Sequence, residues 1–177
     1  MKTRSRIIAL SGLLLASSLI LSALESAVFS FLPAGIRIGL ANVPVMLAVM
    51  VVNIPCGLAV MMLKCFFVML TRGFTAGVMS FSGSICAFAV YVLLIRRAKV
   101  SYVMLSTASA VMHGAGQVCM LAVMTGRTSA FGYMPVMVIS SLISGVFTGI
   151  VLRYTLPLTE KAVASAGENN NSSKGGR

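Results

Sequence analysis

A chain of 177 residues that is 58% hydrophobic, with a mean hydropathy of +1.00 and only 10% of its residues charged, carries more apolar surface than a globule of that size can bury. Lipid must act as part of its solvent, which makes it an integral membrane protein and excludes a soluble domain. Its 14 Lys and Arg against 3 acids give a formal net charge of +11, yet the basic residues flank apolar runs as topology signals do, so no nucleic-acid partner is expected.

In chain order, Lys2, Arg4 and Arg6 precede Ile7 to Leu24, eighteen residues without a charge. That run is longer than a usual signal core and no small-x-small cleavage site follows it closely, so it reads as the first span. The apolar segments run roughly over 7–32, 38–52, 56–71, 74–95, 100–124 and 129–152. Four of these six are long enough to cross a hydrocarbon core of about 30 Å at about 1.5 Å per residue. The second and third are short and meet at Asn53-Ile54-Pro55, a break favoured by the missing proline N–H and its restriction of the preceding residue.

Positive charge decides how these segments are counted. With six spans, Lys2, Arg4, Arg6, Arg96, Arg97, Lys99, Arg153, Lys161, Lys174 and Arg177 share the cytoplasmic side, and only Arg37, Arg72 and Arg127 lie outside. Fusing the second and third segments into one kinked helix inverts that bias. The expected fold is therefore an all-α integral membrane protein, a compact bundle of six transmembrane helices over residues 1–157. It sits in the cell inner (plasma) membrane as a multi-pass protein with N- and C-termini cytoplasmic. Residues 158–177, ending "GENNNSSKGGR", form a disordered polar cytoplasmic tail.

A charge at membrane depth costs roughly 2.5–3.5 kcal/mol on insertion scales, so each hydrophilic residue there is a candidate for function. These are Glu25, Asn42, Asn53, Lys64, His113 and Gln117, with Arg37, Arg72 and Arg127 at the outer rim. Glu25 and Lys64 can instead pair with each other or snorkel to an interface. His113 and Gln117, four apart, share a helix face, where they either bond to a neighbouring helix or touch a ligand. Gly114 and Gly116 beside them permit close approach. Rim arginines attract anions through forked hydrogen bonds, or else meet lipid headgroups.

Small-x-x-x-small spacings at Gly12/Ala16, Gly73/Gly77 and Gly145/Gly149 allow close helix packing, and Gly12 and Ala16 are candidates for a partner subunit. Cys56, Cys65, Cys86 and Cys119 lie inside apolar segments with no close pair and read as small hydrophobes; no metal site and no cofactor are expected. The chain has no aspartate, no phosphate loop of the G-x-x-x-x-G-K-[ST] kind, and one histidine without a nucleophile–base set. It is not expected to be an enzyme.

"LSALES" (21–26), "GIRIGLANVPVMLAV" (35–49), "AVMHGAGQV" (110–118) and "FGYMPVMVISSLISGVFTG" (131–149) resemble the Gx transporter family, which is labelled heptaprenyl diphosphate synthase component I. That family is similar to the substrate-binding S components of energy-coupling factor (ECF) transporters, and the resemblance covers residues 7 to about 153. It implies that Glu25, Arg37, Gly39, Asn42, His113, Gly116 and Gln117 contribute to substrate binding; Lys64 and Arg72 join them on grounds of charge and depth. Arg37 replaces the family's usual lysine, Gly114 its usual asparagine after the histidine, and Pro44 a more helix-compatible residue. Prenyl diphosphate synthases hold magnesium through aspartates, which this chain lacks, so the enzymatic label does not describe a site here.

The resemblance implies a membrane subunit that captures a small solute from outside and works with a transmembrane coupling subunit and ATPases, and the rim arginines favour an anionic solute. The alternative is a non-transporting scaffold for a prenyl-lipid or flavin/electron-transfer assembly.

Overall fold

The computed structural model describes residues 2–28, 39–97 and 100–172, and among these it is helical apart from short junctions, with no strand. Five long helices are α1 (Lys2–Val28), α3 (Ile54–Arg72), α4 (Phe74–Arg97), α5 (Tyr102–Thr125) and α6 (Met134–Ser172). Between α1 and α3 lies a short composite segment. It consists of a 3-10 turn (Leu40–Asn42), α2 (Val43–Leu47) and a π turn (Ala48–Val52). A second 3-10 turn, Thr128–Tyr133, leads into α6.

Each break has a local cause. Asn53, in extended backbone, ends the π turn, and its side chain accepts the Cys56 N–H at 2.8 Å as the N-cap of α3, with Pro55 in the first turn. This is the interruption expected at Asn53-Ile54-Pro55. Gly73 at φ 88° separates α3 from α4 with no linker, and Gly126 at φ 63° ends α5. Ser101 accepts the Met104 N–H at 3.2 Å and caps α5.

Directions follow from the contacts. Arg6 donates to the Val163 carbonyl at 2.7 Å, which sets the start of α1 beside the last turns of α6. Arg72 donates to the Ser22 carbonyl at 2.5 Å, which sets the end of α3 beside the last turns of α1. The short segment starts at the far end, where the Leu40 N–H meets Glu25, and descends to Asn53 where α3 begins. Six segments thus alternate in direction. Arg4, Arg6, Arg96, Arg97, Arg153 and Lys161 gather at one end, called here the basic end.

α1, α3, α4, α5 and the stretch 128–165 are each long and apolar enough to cross a membrane, whereas Leu40–Val52 is too short. The expectation of six full spans is corrected in this respect. The third segment is a full span, and the second covers 13 residues, about 20 Å of helix, and cannot cross alone. Its core side is fully buried, from Val43 to Val49. Ile8, Leu63, Phe66, Leu70, Ile139 and Ile143 are more than half exposed on the outside, a surface that water does not tolerate and lipid does. These features fit a multi-pass membrane protein.

α5 packs most extensively against α6 and α4. A Cβ at Gly145 or Gly149 would lie 2.5 Å from the Thr107 Cα or 2.6 Å from the Val103 Cα, so the two backbones touch through these glycines. Buried Ser106 and Thr148 hydrogen-bond at 2.7 Å across the same seam. The sequence boundary at 157 is not a break in the helix: α6 passes through Pro157 and ends at Ser172.

Candidate functional site

At the far end the short segment is clamped to α1 by two buried polar contacts. Ser18 donates to the Ala41 carbonyl at 2.6 Å, and the Leu40 N–H donates to the Glu25 carboxylate. Glu25, only 6% exposed, thereby satisfies a main-chain donor at the start of a 3-10 turn, where helical N–H groups lack internal partners. Gly39 precedes that turn at φ 79°, and a Cβ there would approach the Ser144 Oγ to 2.8 Å. Both the left-handed backbone and the contact with α6 require glycine at this position.

The turn then presents Asn42 inward. Its side-chain oxygen accepts a hydrogen bond from the Lys64 ammonium, which projects from mid-α3 and is 5% exposed. Glu25 and Lys64 face the same chamber and attract each other across it, while their hydrogen bonds go to neutral partners, an amide oxygen for the cation and a main-chain N–H for the anion. On α5, His113 Nε2 and Gln117 Nε2 lie 3.1 Å apart, one turn from each other as their spacing requires.

These groups enclose a single chamber of about 60 Å³, room for about four waters. α1 contributes Ser22 and Glu25, the short segment Gly39, Ala41 and Asn42, and α3 Lys64 and Val68. α4 contributes Ser80, α5 Ala110, His113, Gly114 and Gln117, and α6 Ser140, Ser141 and Ser144. Every segment of the bundle reaches the same space. The chamber lies in the half of the bundle away from the basic end: Glu25 is about 30 Å along α1 from Arg4. Lys64 has three N–H donors, and among the described residues it gives one, to Asn42. The chamber therefore offers an ammonium with spare donors, hydroxyls and amides beside the Glu25 carboxylate, whose oxygen is turned to the Leu40 N–H, and the spare donors suit a small oxygen-rich anion.

Six of the residues expected from the sequence line this chamber: Glu25, Gly39, Asn42, Lys64, His113 and Gln117. Others do not. Arg72 acts one layer out, bonding the carbonyl of Ser22, itself a chamber residue. Gly116 is a packing position, where a Cβ would lie 3.0 Å from both the Cys86 Sγ and the Gly83 Cα on α4. Arg37 lies outside the described residues. Arg127 is exposed beyond the end of α5. Gly12 and Ala16 are exposed on α1, and a Cβ at Gly12 would meet nothing within 4 Å. Among the described residues no three His, Cys, Asp or Glu side chains come close enough to hold a metal ion.

The serines were not singled out from the sequence. Serine is nearly neutral in hydropathy and is common in apolar helices, so composition does not flag it. The spacing did carry a signal: Ser140 and Ser144 stand four apart and therefore share a helix face.

The model of one protein family, described as heptaprenyl diphosphate synthase component I, matches residues 14–155. The matched stretch runs from within α1 to within α6 and includes every residue lining the chamber. The chain belongs to that family. No curated protein and no solved structure matches it.

Proposed function

With family membership as the premise, we propose that this protein is a substrate-binding membrane subunit, similar to an S component, that captures a small anionic solute in the chamber around Lys64. One observation carries the reading: polar side chains from all six segments line one cavity, and a buried ammonium held by a neutral amide is among them. A bundle that needed polar groups only to fasten its helices has no need to gather them around a shared space. Irregular backbone is tolerated at membrane depth where it lines a cavity, and the 3-10 turn of the short segment does so through Gly39, Ala41 and Asn42.

In this reading the basic end is cytoplasmic and the chamber opens to the outside. Arg37, two residues before Gly39 in sequence, draws the anion in; Lys64, Asn42, His113, Gln117 and the serines hold it. A transmembrane coupling subunit with ATPases supplies the energy, docking on the small residues Gly12 and Ala16 of α1. The protein catalyses no reaction itself.

Native mass spectrometry of the protein purified in mild detergent tests this. The wild type is expected to carry a small anionic adduct and to co-purify with ATPase subunits. Asn42→Ala and Arg37→Ala are expected to lose the adduct with an unchanged helical circular-dichroism spectrum. A wild-type preparation free of any adduct and bound to a stable enzyme partner overturns the proposal and makes the protein a scaffold.

A further inference from the structure

One helical turn nearer the basic end lies a second cavity of about 30 Å³. It shares Asn42 and His113 with the chamber, so these two side chains form the partition between the two spaces. Its chemistry is different. Met46, Met61, Phe88 and Tyr91 form its walls, and the Tyr91 hydroxyl is committed to the Met46 carbonyl at 3.2 Å, which leaves the ring as the surface presented.

Two polar groups in this apolar lining have a buried atom without a hydrogen-bond partner. Ser84 is 4% exposed and its hydroxyl has no hydrogen-bond partner. A serine within a helix ordinarily donates to the carbonyl four residues back, as Ser17, Ser26 and Ser109 do here. Ser84 forgoes that bond. His113 Nδ1, on the partition, also makes no hydrogen bond of normal geometry, while Nε2 on the same ring serves Gln117. Unpaired buried polar atoms are few in native proteins and mark places where something else supplies the partner.

We infer that the solute held in the chamber is amphiphilic. Its anionic head sits at Lys64, and a short apolar end passes between Asn42 and His113 into the second cavity, where a single polar atom near its tip pairs with Ser84. This inference rests on the reading of the chamber as a solute site and adds the class of solute: a small acid with a short hydrocarbon end bearing one hydroxyl or carbonyl. The cavity admits about two waters' worth of volume as it stands, so the apolar end is a few carbons long. Met46 and Met61, with three rotatable bonds each, allow modest widening.

The test uses the full-length protein in detergent and a defined series of probes: acetate, propionate, butyrate and valerate, with 4-hydroxybutyrate and 5-hydroxyvalerate. Binding is read as the concentration-dependent shift of the thermal unfolding midpoint. A thiol-reactive dye supplies that midpoint, because the chain contains no tryptophan; Cys56, Cys86 and exposed Cys119 are replaced by alanine so that the signal reports buried Cys65. Affinity is expected to rise about fourfold per methylene up to the capacity of the cavity, and one of the two hydroxy acids is expected to exceed its parent. Ala87→Leu, which fills the second cavity, is expected to flatten the chain-length series. Ser84→Ala is expected to abolish the hydroxyl advantage.

Equal binding of all the acids overturns the inference and leaves the solute-capture reading intact. A series that persists unchanged in both variants also overturns it, since detergent partitioning then explains the trend. If no acid binds while the native adduct is still carried and still lost on Asn42→Ala, the inference falls alone. If neither the acids nor a native adduct binds, both fall.

Discussion

Replacing Lys64 with methionine separates a binding role from a fastening role, because the two predict opposite changes in stability. A lysine in the middle of a membrane helix costs about 2.5–3.5 kcal/mol on insertion scales. Its removal leaves the Asn42 oxygen without its donor, a loss of about 1–3 kcal/mol for an unsatisfied buried polar group. Methionine fills nearly the same volume, so no cavity term enters. The Glu25 carboxylate loses the attraction of the Lys64 charge but keeps its bond from the Leu40 N–H, which limits that cost. The difference runs from about −0.5 to about 2.5 kcal/mol in favour of the variant, so Lys64→Met is expected to unfold at a temperature close to or above that of the wild type. Solute affinity should move the other way. Losing a hydrogen bond to a charged partner, worth about 1.5–3 kcal/mol, lowers it by roughly 10- to 100-fold. Thermal unfolding with the thiol-reactive dye measures the first effect, and retention of the native adduct in mass spectrometry measures the second. A drop in stability of more than about 2 kcal/mol refutes the reasoning, for it means that the ammonium holds the short segment onto α3.

Three further substitutions separate the site from its supports. Gly39→Ala places an L side chain at φ 79°, costing about 1–2 kcal/mol, and sets its Cβ 2.8 Å from the Ser144 Oγ. Adding Ser144→Ala should recover only the steric part of the loss in unfolding midpoint. Asn53→Ala removes the N-cap of α3 and is expected to cost about 1 kcal/mol of stability with adduct retention unchanged. Gly116→Ala drives a methyl group against Cys86 and Gly83. It is expected to lower the unfolding midpoint by an amount equivalent to about 1–3 kcal/mol, which marks Gly116 as a packing residue if Gly116→Ala retains the adduct.

The membrane class, the number of segments and the break at Asn53 were legible because each rests on a single strong local term. Long uncharged runs have no stable place outside lipid, and Asn-Ile-Pro combines a capping side chain with a residue that cannot continue the preceding helix. The short segment was harder to read. Its apolar content matches that of a spanning helix, and only the coordinates reveal that Gly39 starts a 3-10 turn and that the backbone widens to a π turn before Asn53. The 3-10 turn is held by tertiary contacts with Glu25, Ser18 and Lys64, which the propensities of "LANVPVMLAVMVV" do not reveal.

For the site, depth in the membrane was the useful signal and side-chain direction was the missing one. A charged or amide group in an apolar run is conspicuous by its transfer cost alone, which is why Glu25, Asn42, Lys64, His113 and Gln117 stood out and why all five line the chamber. Gly116 was chosen from the family resemblance and Gly12 for its smallness. A glycine, however, permits approach without naming what approaches: α4 backs onto Gly116, and nothing described backs onto Gly12. The serines carry the opposite lesson. A hydroxyl can satisfy itself on its own helix at little cost, so serine at depth is cheap and unremarkable in sequence. It becomes informative only when its bond is known, and of the serines in this bundle it is Ser84, which leaves that local bond unmade beside an apolar space, that asks for a partner from outside the fold.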